Sequence, residues 1–283
     1  MRWPRYEHVF FDCDSTLTSV EGIDALAAKA GVGESVEELT RAAMDGALDL
    51  DDVYRERLEA INPTRGAVRA LREVYKSNVV EDAAAVVHAL MKLGHQVYII
   101  SGGLHEPVRE FGISLGVPPE NIRGVGVDYN QLAGEWWRSR DDAALHKTDR
   151  YLDYRKSALA ESRGKADIVK QFLNGQSGRS LLIGDGISDL LAASMVDLFL
   201  GYGGVMVRAR VEREAPIFMR CASLAPVLAL AAGPAALRQC RDNDAELVEK
   251  TITLVASGAL EFRPERLRTR FTRAWEAQYG ALR

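Results

Sequence analysis

The chain has 283 residues, of which 47% are hydrophobic and 27% charged, and its formal net charge is −4 at pH 7. This composition is typical of a soluble globular protein with one large domain and a smaller companion, and it excludes a disordered chain and a globally basic nucleic-acid-binding protein. The cysteines are 3 in number and far apart, and no apolar segment is long enough to span a membrane, so we expect a cytoplasmic protein without a membrane partner.

The first predicted element is a strand at 8–13, where the sequence HVFFDC is apolar and ends at acidic residues. This pattern is typical of a buried parallel strand that ends at a polar edge. From 21 to about 75 the apolar residues recur at helical spacing, and no strand pattern interrupts them. The sequence therefore predicts a helical insertion after the first strand, residues 18–80, which is called the cap below.

Strand and helix patterns then alternate along the chain. Strands are predicted at 96–100, 180–183 and 196–200, and helices at 84–93, 106–115, 165–173 and 190–195. This alternation predicts an α/β fold with a doubly wound, Rossmann-like, mostly parallel sheet. Its core is assigned to residues 1–17 and 81–232.

Some segments fit this alternation less well. Residues 122–129 and 134–137 predict a β-hairpin or flap, and the charged stretch 138–155 predicts an exposed loop. Residues 233–283 predict a helical C-terminal extension with an apolar stripe that ends in Trp275 and Tyr279. This stripe is expected to pack on the protein's own core or on a second subunit in a homodimer. A binding role for the nearby arginines is the alternative.

Asp12 and Asp14 follow the first predicted strand two residues apart, so their side chains begin on the same side of the chain. Two carboxylates this close repel each other, and a divalent cation is the simplest remedy. Asp12, the Asp14 backbone carbonyl and Asp185, at another strand end, offer the oxygen ligands that Mg²⁺ prefers. For the two aspartates alone, capping of a turn is the competing interpretation.

The sequence DCDSTLT resembles the first motif of the haloacid-dehalogenase superfamily of phosphatases. The remaining motifs follow in the order of that family: Ser101 at a strand end, Lys165 at the start of a helix, and GDGISD at 184–189. The resemblance implies a phosphatase in which Asp12 is the nucleophile, Asp14 the general acid and base, and Mg²⁺ the cofactor.

The same resemblance implies how the phosphoryl group is held. The Ser101 hydroxyl and Lys165 would bind its oxygens, and Gly102 and Gly103 would let the backbone approach it. Asp189 would orient Lys165 or a metal-bound water.

The predicted cap resembles that of phosphoserine phosphatase-like enzymes over DSTLTSVEGIDALAAKAGV and RAAMDGALDLDDVYRERLEAI. This likeness implies that Glu21 binds the substrate amino group and Arg57 its carboxylate, an apt pair for a zwitterion. The alternative is a cap salt bridge or a solvated surface. Met44 matches an apolar substrate position of this cap.

Two further positions follow from this likeness. Arg208, in GYGGVMVRARVEREA, matches a substrate-site arginine, and Ser188 stands where asparagine or threonine is usual. The expected activity is therefore hydrolysis of O-phospho-L-serine, a small phosphomonoester. The alternatives are another small phosphomonoester, phosphoryl transfer to an acceptor alcohol, and a non-catalytic binding protein. The complete catalytic set disfavours the last of these.

Overall fold

The computed structural model describes residues 2–44, 50–130, 132, 149–155 and 158–281, with the side chains of 43–44, 50–52 and 239–243 left out of the description. The strands are β1 His8–Phe11, β2 Gln96–Leu104, β3 Ile122–Val125, β4 Val127–Asn130, β5 Arg150–Tyr154, β6 Ser180–Gly184, β7 Leu198–Tyr202, β8 Ile217–Met219 and β9 Leu260–Phe262. The helices are α1 Gly22–Ala30, α2 Gly33–Met44, α3 Leu50–Ile61, α4 Arg65–Ser77, α5 Ala83–Lys92, α6 His105–Ser114, α7 Gly164–Leu173, α8 Ile187–Ala192, α9 Ala209–Glu214, α10 Pro226–Ala231, α11 Leu237–Ala256 and α12 Glu265–Tyr279.

The central sheet has 7 strands in the order β3-β2-β1-β6-β7-β8-β9, and the neighbours are parallel except for the antiparallel pair β8 and β9. His8 of β1 lies opposite Gln96 of β2 on one side and Ser180 of β6 on the other. The winding therefore reverses at β1, and the carboxyl ends of β1, β2 and β6 meet at one crevice. This topology confirms the predicted α/β fold.

Strand β1 contributes to both faces of the sheet because side chains alternate along a strand. Val9, Phe11 and Cys13 enter one buried cluster and Phe10 enters the other, each fully buried. The prediction that Cys13 belongs to the core, facing away from the two aspartates, is confirmed. A strand buried on both faces is held rigidly, which fixes the position of the residues at its end.

The segment between β1 and α5 is helical, as expected, and forms α1 to α4. These helices pack on one another through buried side chains that include Leu26, Leu58 and Leu71. Helix α4 begins with a side-chain cap, since Thr64 accepts a hydrogen bond from the Ala67 amide at 3.1 Å. The cap is thus one continuous insertion, and the chain enters the core at both of its ends.

The predicted loop at 138–155 is wrong for its last part, because Arg150–Tyr154 forms strand β5. Strand β5 pairs antiparallel with β4, so the partner of β4 is this later segment. Exposed and partly buried residues alternate along β5 up to the buried Tyr154. The arginine and aspartate among them interrupt the apolar pattern from which a strand is predicted. The predicted strand at 134–137, with Trp136 and Trp137, lies outside the described residues.

The C-terminal extension packs against the protein's own core, as one of the two expectations had it. Phe271 and Trp275 are buried, and Phe271 packs edge-on against Trp3 with ring centroids 5.0 Å apart. The extension also contributes β9 to the central sheet, which the purely helical prediction missed. A strand of 3 residues gives too short a pattern to be distinguished from a loop.

Candidate active site

The end of β1 carries Asp12, whose carboxylate is held at both oxygens. Oδ1 accepts a hydrogen bond from the Cys13 amide at 2.7 Å, and Oδ2 lies 2.7 Å from the Lys165 ammonium group. Asp12 is only 7% exposed. A carboxylate fixed in this way is oriented toward one approach direction, as a nucleophile requires.

Lys165, the second residue of α7, lies between two carboxylates. Its Nζ is 2.7 Å from Asp12 Oδ2 and 2.7 Å from Asp189 Oδ1. Burial alone would lower the pKa of Lys165, but the attraction of Asp12 and Asp189 outweighs it and raises the pKa. The lysine is therefore a permanent cation at this position.

Asp189 anchors this lysine, as one of its two predicted roles requires. Its Oδ1 accepts from Lys165, and its Oδ2 accepts from the Gly186 amide at 3.1 Å. Gly184 makes room for the carboxylate, because a Cβ at that position would lie 2.2 Å from Asp189 Cγ. Packing therefore requires glycine at position 184, the first of the two glycines in the GDGISD motif.

The carboxylates of Asp12, Asp185 and Asp189 offer oxygens within 4.8 Å of one another, and all three are buried. Asp185 also accepts hydrogen bonds from Thr16 Oγ1 at 3.3 Å and from Arg208 Nε at 2.9 Å. Burial raises the pKa of Asp185, against the opposing effect of the Arg208 guanidinium. Grouped hard oxygen ligands fit Mg²⁺.

Asp14 lines the same pocket as the lysine. Its Oδ1 accepts a weak hydrogen bond from the Gly22 amide at 3.4 Å. Burial raises the pKa of Asp14 from 3.8 to about 7, against the opposing effect of the Tyr75 hydroxyl beside it. A carboxyl group with a pKa near neutrality is suited to donate and accept a proton.

The end of β2 forms a tight polar turn. The fully buried Ser101 accepts a hydrogen bond from the Gly103 amide at 2.9 Å. A Cβ on Gly103 would lie only 2.6 Å from Asp14 Oδ2. The absence of a side chain there therefore allows this turn to meet the end of β1.

Glu21 and Arg57 of the cap face the same pocket. Glu21 accepts a hydrogen bond from Ser15 Oγ at 2.8 Å, and burial raises its pKa well above the usual range. Arg57 is 2% exposed and donates from Nη1 to Thr40 Oγ1 at 3.1 Å. The side chain of Met44 lies outside the described residues.

One pocket unites most of the residues predicted from the sequence. The predicted residues that line it are Asp12, Asp14, Glu21, Arg57, Ser101, Gly102, Gly103, Lys165 and Ser188. Arg208 is not among the residues that line this pocket. Its guanidinium contacts two residues of the site, Asp185 at 2.9 Å and Glu21 at 3.4 Å. Its predicted contact with substrate stays a prediction.

The sequence did not single out several residues of this site. Ile23, Tyr54, Leu104 and Leu159 line the pocket. Tyr54 precedes Arg57 by one helical turn and lies under its guanidinium, 5.4 Å from the ring centroid. That spacing was the available signal, whereas Leu159 comes from a segment without any motif.

Comparison with known proteins agrees with this geometry. The haloacid dehalogenase-like hydrolase family matches residues 6–197. The chain is 33% identical to the phosphoserine phosphatase of Drosophila melanogaster over 213 residues, 75% of this chain and 73% of that protein. It is also 33% identical to the phosphoserine phosphatase of Rattus norvegicus over 209 residues, 73% of this chain and 86% of that protein.

Solved structures share the fold. A substrate-bound phosphoserine phosphatase complex matches with a TM-score of 0.67 and 20% identity, covering 79% of this chain and 97% of that one. A phospho-aspartyl intermediate analogue of phosphoserine phosphatase matches with a TM-score of 0.66, also at 20% identity, covering 79% of this chain and 98% of that one. Within the described residues, no helix has the length and apolar character needed to cross a membrane.

Proposed function

This chain belongs to the phosphoserine phosphatase-like members of the haloacid dehalogenase-like hydrolases and is a phosphatase, and from this we propose that it hydrolyses O-phospho-L-serine to L-serine and phosphate. The observation that carries the proposal is the pocket itself. Its lining brings Asp12, Asp14 and Lys165 together with Glu21 and Arg57. A phosphoryl group and an amino-acid backbone thus find complementary groups in one cavity.

In the first step, an Asp12 oxygen attacks phosphorus, and the bond from phosphorus to the serine oxygen breaks. Asp14 donates its proton to the departing alkoxide, for which a pKa of about 7 is suitable. Lys165 and the Ser101 hydroxyl bind the phosphoryl oxygens as charge shifts onto them. The product of this step is an aspartyl-phosphate on Asp12 and free serine.

In the second step, water attacks the phosphorus of the aspartyl-phosphate and gives its proton to Asp14. The bond from phosphorus to Asp12 breaks, which restores both carboxyl groups and releases phosphate. Asp189 keeps Lys165 in place throughout, because it remains bonded to the ammonium group when Asp12 is esterified. Two moderate displacements replace one difficult hydrolysis.

Asp12, Asp185 and the Asp14 backbone carbonyl are the residues proposed to hold Mg²⁺. When bound, this ion offsets the repulsion between the anionic nucleophile and the anionic ester. The buried carboxylates within 4.8 Å of one another support this assignment.

The cap determines the proposed substrate. The buried Glu21 carboxyl is suited to an ammonium group, whose charge would favour its ionised form. Arg57 is suited to a carboxylate, which a guanidinium binds with two parallel hydrogen bonds. Phosphoserine carries both groups on its α-carbon, which is bonded to the carbon that bears the phosphate ester. A cytoplasmic place in serine synthesis stays a prediction.

The experiment is phosphate release with Mg²⁺ from O-phospho-L-serine, O-phosphoethanolamine and glucose 6-phosphate. Phosphoserine should be hydrolysed at least about a hundredfold more efficiently than the sugar phosphate, because two charged contacts of roughly 1.5–3 kcal/mol each distinguish them. Asp12→Asn should abolish turnover, and Arg57→Ala should raise the KM for phosphoserine far more than that for phosphoethanolamine. Equal efficiencies for all three esters would refute the substrate assignment.

Phosphoryl transfer to an alcohol is the other outcome of this assay. Added glycerol would then yield glycerol phosphate and lower the yield of free phosphate per serine released. A yield of one phosphate per serine with glycerol present supports hydrolysis.

A further inference from the structure

Arg57 is held by a buried relay of hydrogen bonds within the cap. Its Nη1 donates to Thr40 Oγ1 at 3.1 Å, and Thr40 Oγ1 lies 2.6 Å from Asp24 Oδ1. Thr40 is 3% exposed and does not line the substrate pocket. The three residues come from α3, α2 and α1, so the relay joins three cap helices.

The direction of the relay follows from the single proton of the Thr40 hydroxyl. Oγ1 also lies 3.0 Å from the Val36 carbonyl, one turn earlier in α2. The Asp24 carboxylate is the nearer acceptor, and bonds to an ionised acceptor are shorter and stronger. With its proton directed to Asp24, the hydroxyl presents its lone pairs to Arg57.

This contact leaves the functional edge of the guanidinium available. Nε and Nη2 form the edge that binds a carboxylate with two parallel hydrogen bonds, whereas Nη1 lies on the other side. Nε is buried and makes no hydrogen bond within the described part of the chain. The Tyr54 ring, 5.4 Å from the guanidinium carbon, restrains one face of the group. A buried donor without a partner is costly unless a ligand satisfies it.

We infer that Thr40, oriented by Asp24, is a positioning residue that holds Arg57 so that its Nε–Nη2 edge faces the carboxylate of the substrate. This inference rests on the proposed function, since it assigns Arg57 to a substrate carboxylate. Thr40 acts on substrate affinity and selectivity, and it has no part in the phosphoryl-transfer chemistry.

The test compares Thr40→Val, which keeps the shape and removes the hydroxyl, with Thr40→Ser, which restores it. For Thr40→Val we expect the KM for phosphoserine to rise about tenfold and kcat to change less than about twofold, because an interaction present in both ground and transition states is weakened. Both constants for phosphoethanolamine, which lacks the carboxylate, should stay within about twofold of the wild type. Thr40→Ser should behave like the wild type.

Thr251→Val is the matched control. Thr251 is also a fully buried helical threonine, with its hydroxyl 2.8 Å from the Leu247 carbonyl and 3.0 Å from the Ala225 carbonyl, but it lies in α11. Its substitution should lower the thermal unfolding temperature without changing either KM. Should Thr40→Val fail to fold, Asp24→Asn weakens the same relay and should raise the KM selectively.

The outcomes separate the two proposals. A wild type that hydrolyses phosphoserine and phosphoethanolamine equally well overturns the proposed function and this inference with it. A selective wild type whose Thr40→Val variant keeps the same KM for phosphoserine overturns the inference alone. Equal KM increases for both substrates also overturn it, because they indicate general damage to the cap.

Discussion

The addition of a single methyl group at Gly103 should strongly disturb catalysis. Its Cα lies where the end of β2 passes the end of β1, and a Cβ there would be 2.6 Å from Asp14 Oδ2 and 3.1 Å from Ser101 Oγ. An ordinary carbon–oxygen contact is about 3.3 Å or longer. Gly103→Ala therefore forces the Asp14 carboxyl to move by about 0.7 Å.

The cost of this movement falls on catalysis more than on stability. The Asp14 carboxyl ends a short side chain that can rotate, so we expect a loss of only about 1 kcal/mol in unfolding free energy. A misplacement of about 1 Å can reduce a rate a hundredfold, so kcat for phosphoserine should fall by roughly 10- to 100-fold.

Stopped-flow kinetics with p-nitrophenyl phosphate locate the defect. Its leaving group needs no proton, so a first-turnover burst of p-nitrophenolate should persist in Gly103→Ala while steady-state turnover falls, since Asp14 still has to activate water. Gly33→Ala is the control: its Cβ meets nothing closer than Ala28 Cα at 3.5 Å, and activity should be unchanged. A wild-type kcat for phosphoserine in Gly103→Ala would show that Asp14 is not the proton donor.

Two further predictions concern the metal and the pH dependence of stability. Treatment with EDTA should abolish phosphate release and added Mg²⁺ should restore it, because Asp12 and Asp185 are buried close together; full activity after exhaustive chelation would contradict the metal assignment. His95 is 4% exposed, and burial lowers its pKa from 6.5 to about 4. The contribution of the neutral imidazole to the free energy of unfolding is therefore complete above pH 6.5 and is lost as the pH falls toward 4. By pH 5 the free energy of unfolding, measured with urea, should have fallen by about 2 kcal/mol. The variant His95→Asn keeps a donor for the Tyr6 carbonyl and should lose less unfolding free energy between pH 8 and pH 5. Identical losses would refute this origin of the pH dependence.

The sequence was sufficient to predict the parallel centre of the sheet and several of the residues that its strand ends bring to the pocket. Asp12, Ser101 and Asp185 each stand at the end of an apolar run, and parallel strands bring such ends to one edge. Lys165 needed the order of the motifs, because a lysine at the start of a helix is common. In the structure Lys165 contacts Asp12 and Asp189, each at 2.7 Å, and a motif at one segment of the chain cannot show these two partners.

Features that depend on distant partners were missed. Strand β5 lacks an apolar face along its length, and its pairing with β4 makes it a strand. Thr40 reads as an ordinary helical residue, and its role depends on Asp24 and Arg57 from two other helices. Periodicity describes how a segment is buried, but it carries no information about which buried polar groups meet.

The charges around the pocket give a physical reason for the proposed cofactor. The carboxyl groups in and around the pocket are those of Asp12, Asp14, Glu21, Asp185 and Asp189, and the buried cations are Arg57, Lys165 and Arg208. Lys165 is shared by Asp12 and Asp189, and Arg208 by Asp185 and Glu21, so each of these two cations contacts two acids. With every group ionised, this described set has two more negative charges than positive ones, which agrees with pKa values raised by burial and by neighbouring carboxylates. A divalent cation held by Asp12 and Asp185 would supply the missing charge and would favour the ionised form of Asp185 before a phosphate ester enters.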